Sequence, residues 1–172
     1  MLNRLSRFAL TAAVLIAGPN FASAQAINSE ALSDPRVRQA IAYAIDMDTI
    51  VETLLEGKAI AADSMLPNGP HKPSGLNPYS YNPEKARELL AAAKWDSSRE
   101  LDMVFYYGDQ LTVDLMAALQ AYLSDVGVKM TYRKLEGDVG AQLTTRPTNP
   151  VDGVSNIDWD LGYGAAAATA LQ

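Results

Sequence analysis

The sequence predicts an α/β fold, a small and mostly parallel sheet with flanking helices. Three observations carry that reading. Helix start signals recur at Asp34-Pro35, Asp46 and Asn82-Pro83, each followed by apolar residues at helical spacing. Two stretches rich in Val, Met, Phe and Tyr, 101–107 and 128–135, enclose a helical stretch at 111–126, the order of a strand–helix–strand crossover. And 48% hydrophobic against 20% charged residues in a chain of 172 is the balance of one ordinary domain able to bury a core.

The first helix lies in 33–46. Asp34 can accept from the free amides of the first turn, and Pro35 sits where a missing N–H costs nothing. Val37, Ala40, Ile41, Ala44 and Ile45 then mark one face, while Arg36, Arg38 and Gln39 mark the other. Asp46 caps a second helix through Ile50, Val51, Leu54 and Leu55, which Gly57 ends. The segment 58–81 carries Pro67, Gly69, Pro70, Pro73, Gly75 and Pro78 and reads as an extended connection, with a short strand at 64–66.

Asn82-Pro83 opens a third helix with an apolar stripe of Ala86, Leu89, Leu90 and Ala93, closed near Trp95. Strand 101–107 stops at Gly108-Asp109, helix 111–126 stops at Gly127, and strand 128–135 follows, so the two strands are expected to be parallel. A short helix at 138–143 and a loop at 144–156 lead to a third strand at 157–163. The closing stretch 165–172 is of low complexity and carries no core pattern.

At the other end, 1–24 has the parts of a cleaved secretory signal. Arg4 and Arg7 supply the positive start, 8–17 the apolar run, and Ala22-Ser23-Ala24 the small residues of a cleavage site before Gln25. The apolar run is about half of the ~20 residues that span a bilayer, which favours cleavage over anchoring. The sequence contains no Cys, which removes disulfides, thiolate metal sites and Cys nucleophiles. A formal charge of −6 argues against a nucleic-acid partner, because an acidic surface repels phosphate backbones.

Few residues offer chemistry. His71 is the single histidine and stands in the Pro/Gly connection without partners near it in sequence. Asp46 and Asp48 are explained by helix capping. Asp158 and Asp160 would share a face of a strand, a spacing compatible with a cation or an acid–base pair. The glycines fit neither nucleotide-binding fingerprint, and no cofactor or metal is expected. The candidate binding residues are Tyr106, Tyr107 and Tyr163, which fall at the C-terminal ends of two predicted strands, where ligands dock in open α/β sheets.

Four segments in order, DPRVRQAIAYAIDMDTIVETLLEGKA, YNPEKARELLAAAKW, LQAYLSDVGVKMTYRKLEG and DWDLGYGA, resemble the family 5 extracellular solute-binding proteins, the peptide and nickel type of bacterial ABC importers. The resemblance spans 32–164. It implies one lobe of the two-lobed periplasmic binding protein type II fold, an oligopeptide or other small solute as ligand, ABC permease subunits as partners and the periplasm as location. It also implies that the D-W-D run opens the third strand and that Tyr163 stands beside the ligand cleft. Peptide-binding members continue into an Asp-containing, Pro-rich segment whose carboxylate meets the peptide's amino terminus, where this sequence has Ala165 to Ala168.

The expected organisation is therefore a signal at 1–24, a partial solute-binding lobe at 25–164 and a tail at 165–172. A shortened binding protein with impaired binding is the expectation. The alternatives are a fragment that binds nothing and a small exported interaction module that self-associates through a face left uncovered. An exported enzyme would need a nucleophile–base pair or a metal cluster, and the sequence offers neither.

Overall fold

A computed structural model describes residues 32–62, 72–144 and 158–164. The expected signal at 1–24, the strand at 64–66, His71, most of the loop at 144–156 and the tail at 165–172 lie outside the described residues.

Helix α1 (Pro35–Ala44) starts as its sequence dictates, with the Asp34 carboxylate accepting from Arg36 N at 2.8 Å. It buries Val37, Ala40 and Ala44, whereas Ile41 and Ile45 are half-buried against the same core. Helix α2 (Met47–Thr53) follows at once, capped by Asp46, whose two carboxylate oxygens accept from Thr49 N at 3.0 Å and Thr49 Oγ1 at 2.8 Å. Gly57 takes φ +69° and its N–H donates to Val51 O at 2.9 Å, closing the helix end in the left-handed conformation that glycine adopts without steric cost.

Helix α3 (Pro83–Ala92) is capped by Asn82, which accepts from Lys85 N at 2.9 Å, and it buries Ala86 and Leu90. It packs along α1, and the Arg36 guanidinium donates to Ala92 O at 2.8 Å across the pair. Strand β1 (Glu100–Phe105) leads to α4 (Gln110–Asp125), whose cap Asp109 accepts from both Thr112 N and Thr112 Oγ1 at 2.9 Å. Then come β2 (Lys129–Lys134), the short α5 (Val139–Thr144) and β3 (Leu161–Tyr163).

The sheet order is β2-β1-β3, with both pairings parallel as the crossover pattern requires. Glu100 to Phe105 stand opposite Lys129 to Lys134, and Met103 to Phe105 stand opposite Leu161 to Tyr163. Alternation sends Leu101, Met103 and Phe105 into one core with Leu115, Met116, Leu119 and Leu123 of α4 and with the apolar face of α1. Leu101, Met116 and Leu123 are almost wholly enclosed, and each such side chain contributes roughly 1.5–3 kcal/mol by burial.

Two expectations change. β1 ends at Phe105, so Tyr106 and Tyr107 lie just past the strand, where the chain turns toward the Asp109 cap. β3 begins only at Leu161, so Asp158 and Asp160 precede it and do not form a pair on one strand face. The cause is Asp160 itself, whose carboxylate turns inward to bond β1.

Candidate binding surface at the sheet edge

The carboxyl ends of parallel strands are where an open sheet leaves a crevice, because the crossover helices start there and the chain must turn away. Here that edge carries tyrosine. Tyr106 and Tyr107 pack with ring centroids 4.3 Å apart and planes tilted by 41°, and the Tyr106 hydroxyl donates to that of Tyr107 at 3.0 Å. Tyr163, at the end of the neighbouring β3, meets Tyr107 edge-on at 6.2 Å and 71°. The structure thus brings the three candidate tyrosines into one half-buried shelf. Edge-to-face and offset rings of this kind hold one another in place by their quadrupoles as well as by burial.

Two glycines shape the shelf. A Cβ at position 164 would lie 2.8 Å from Tyr106 Cε1, so the ring closes directly over that backbone and only glycine accommodates it unmoved. A Cβ at position 108 would lie 3.0 Å from Lys134 Nζ, which leans over the turn from the end of β2 and also pairs with Glu136 at 3.5 Å. Neither role is readable from spacing, because each contact is made between different strands. The edge can offer stacking faces, phenolic hydroxyls and one nearby ammonium, which suits a polar solute with apolar groups. Among the described residues no group of three or more His, Cys, Asp and Glu is placed to hold a metal.

A second concavity of about 480 Å3 opens between the α1–α2 corner and the segments around Ala61 and Ser80, with Asp46, Asp48, Tyr79 and Tyr81 in its lining. Three of its lining residues have structural roles. Asp46 caps α2, Tyr79 packs edge-on against Tyr43 at 5.2 Å, and Tyr81 against Tyr122 at 5.7 Å. Burial, and then the Asp46 charge, push the Tyr122 phenol above its ordinary pKa. Sequence reading did not find this hollow, which joins positions far apart in the chain. His71, the remaining candidate weighed, is outside the described residues.

Residues 8–167 match the family described as bacterial extracellular solute-binding proteins, family 5 Middle. A Brucella ovis protein named as an ABC transporter peptide-binding protein is 35% identical over 106 residues, 60% of this chain and 20% of the relative. The glutathione-binding protein GsiB of Pectobacterium atrosepticum is 30% identical over 104 residues with the same coverage. Among solved structures, NikZ from Campylobacter jejuni in complex with Ni(L-His) superposes with a TM-score of 0.58 at 27% identity, over 66% of this chain and 25% of that one. The oligopeptide-binding protein AppA from Bacillus subtilis in complex with a nonapeptide superposes with a TM-score of 0.59 over 77% and 28%; at 22% identity that likeness speaks to the fold alone. The chain spans 20% of the length of the curated relatives it matches.

Proposed function

Since the chain belongs to the family 5 bacterial extracellular solute-binding proteins and its fold matches a portion of the periplasmic binding protein type II fold, we propose that it contributes one wall of a solute site in an ABC importer. The solute is a peptide or a small molecule of similar polarity, and the wall is the shelf of Tyr106, Tyr107 and Tyr163. The single observation that carries this reading is the convergence of the three rings at the carboxyl edge of β1 and β3, in a chain whose family binds solutes. The relatives named for peptides and for glutathione support a peptide-like ligand. Export follows from the apolar leader, with cleavage after Ala24 and the periplasm as destination, and the importer's permease subunits are the partners.

On this reading the exported chain binds weakly when assayed by itself. Small-molecule sites bury about 70–90% of their ligand, and one wall buries one side. Partial desolvation also leaves polar contacts competing with water. The chain recovered after export, titrated with di- to pentapeptides and followed by amide NMR, should show a dissociation constant no tighter than about 1 mM, some 4 kcal/mol of binding. The shifts should centre on Tyr106, Tyr107, Tyr163 and Gly164. A micromolar dissociation constant would overturn the weak binding, and the absence of any shift at the shelf, or shifts confined to the hollow near Asp46, would overturn its assignment.

A further inference from the structure

We infer that Asp160 is the positioning residue of the tyrosine shelf: its enclosed carboxylate fixes the register of β3 on β1 and so brings Tyr163 against Tyr107. The need for such a residue comes from β3 itself. It has three residues, Leu161 and Tyr163 are only half-buried, and Gly162 has no side chain to pack. A strand this short and this little buried specifies its register poorly, and a slip of one residue would turn Tyr163 to the opposite face of the sheet.

The D-W-D run that precedes β3 supplies what the strand lacks, ties from each of its residues to other parts of the fold. Arg133 of β2 donates to Asp158 O at 3.4 Å, and Trp159 Nε1 donates to Gln142 O of α5 at 3.2 Å. Asp160 makes the ties that depend on register. Its N–H donates to Asp102 O at 2.9 Å, its Oδ2 accepts from Asp102 N at 2.9 Å, and its Oδ1 accepts from Arg99 at 3.1 Å. The Asp160 side chain is 4% exposed and that of Arg99 16%.

A one-residue slip in either direction would set Trp159 or Leu161 opposite Asp102, and neither has a side-chain acceptor to take the place of the Asp160 carboxylate. A two-residue slip would offer Asp158, but it would carry Tyr163 about 7 Å along the sheet and away from Tyr107. The reciprocal bonds between positions 102 and 160 are therefore satisfied with the shelf assembled in one register only. An enclosed ion pair adds little net stability, because desolvation offsets its attraction, and its use is to select one arrangement.

That the shelf serves a solute rests on the proposal above; that Asp160 places the shelf does not, and the test separates the two. In the full chain, Arg99→Met with Asp160→Leu replaces the pair by apolar groups of similar volume, while Arg99→Met with Asp160→Asn removes the charges but keeps an acceptor for Asp102 N. The readout is the NOE between the Tyr107 and Tyr163 rings, with NOEs between Leu101 and Met130 as the control for β1–β2. The Leu-containing pair is expected to keep its thermal midpoint and the control NOEs and to lose the ring NOE; the Asn-containing pair is expected to keep both. A ring NOE that survives in the Leu-containing chain overturns the inference, as does its loss in the Asn-containing chain with β1–β2 intact. Should the Leu-containing chain fail to fold, the Asn-containing chain alone decides by the same criterion. Loss of the ring NOE without any change in peptide-induced shifts would sustain the role of Asp160 and overturn the solute reading instead.

Discussion

Strand β1 is held on its two edges by different physics. Toward β2 it makes six register pairs, and Leu101, Met103 and Phe105 enter a core shared with Val128, Met130 and the buried face of the crossover helix α4. Toward β3 it makes three pairs, Leu161 and Tyr163 pack only partly against the core, and Asp102, Arg99 and Asp160 add enclosed polar ties. A one-residue slip of β2 would turn its buried residues away from the core, so burial fixes that register, whereas β3 buries too little to do so and depends on hydrogen bonds, which are weaker in net terms and exacting in geometry. The first edge therefore stabilises the sheet, and the second sets the register of its last strand.

The largest effect that tests this contrast is Leu101→Ala. The side chain is fully enclosed, so its truncation should cost about 2–5 kcal/mol in urea unfolding, by lost burial plus the cavity left behind. Leu161→Ala, in half-buried β3, should cost about 1 kcal/mol. Equal costs would erase the distinction between the edges.

Next in size is Ile41→Ala on α1. The periodicity assigns Ile41 to the apolar face, but the structure leaves it half-buried beside the enclosed Val37, Ala40 and Ala44. The expected loss is accordingly about 1–2 kcal/mol, below the range for a fully buried isoleucine. Gln39→Ala should stay within about 0.5 kcal/mol. A loss at Ile41 as large as that at Leu101 would show that the helical layer, rather than the sheet, dominates the core.

The same contrast explains what could be read from sequence. The β2 edge was legible because burial leaves a period: apolar residues recur every second position in a strand and every three or four in a helix, and Asp34, Asp46, Asn82 and Asp109 punctuate them. The β3 edge was legible only in part. The sequence placed a strand at 157–163, but its start at Leu161 goes with bonds from Asp160 to residues 58 and 61 positions earlier, and no local pattern encodes that. The three tyrosines could be placed at strand ends by position. Their mutual stacking, the ring lying over Gly164 and the hollow beside Asp46 arise from the meeting of distant segments, so no spacing signals them.

Acid probes the β2 edge through the cap of α4. The Thr112 amide, and then its hydroxyl, hold the Asp109 carboxyl below its usual pKa of 3.8. A carboxyl depressed in the folded state adds stability that is complete above its unfolded pKa and is lost as pH falls through the folded one. Asp109→Ala should therefore lower the thermal midpoint by a constant amount above about pH 5, and the gap to the unmodified chain should close as pH falls below about 4. Asp109→Asn, which keeps the acceptor and loses the charge, should remain near the unmodified midpoint and lack its acid dependence. A gap that persists unchanged at pH 2 would mean that the ionised carboxylate is not what caps the helix.

The smallest effect separates the two aspartates of the D-W-D run. Asp158 pairs with Arg133 at 3.4 Å, but its side chain is 86% exposed, and the Arg133 guanidinium makes its closer bond to Asp102 at 2.9 Å. Water around Asp158 screens the attraction, and holding two mobile side chains together costs entropy, so exposed pairs contribute about 0–1 kcal/mol. The backbone oxygen of Asp158 also accepts from Arg133, and substitution of the side chain leaves that bond in place. Asp158→Ala should then change stability by less than about 0.5 kcal/mol at low salt, and the difference should vanish near 1 M salt, where the screening length falls to about 3 Å. The ring NOE between Tyr107 and Tyr163 should be untouched, because Asp160 still meets Asp102. Loss of that NOE in the Asp158 variant would move the register pin from the enclosed carboxylate to the exposed one, and the polar edge of β1 would then have to be read as a network spanning β2 as well.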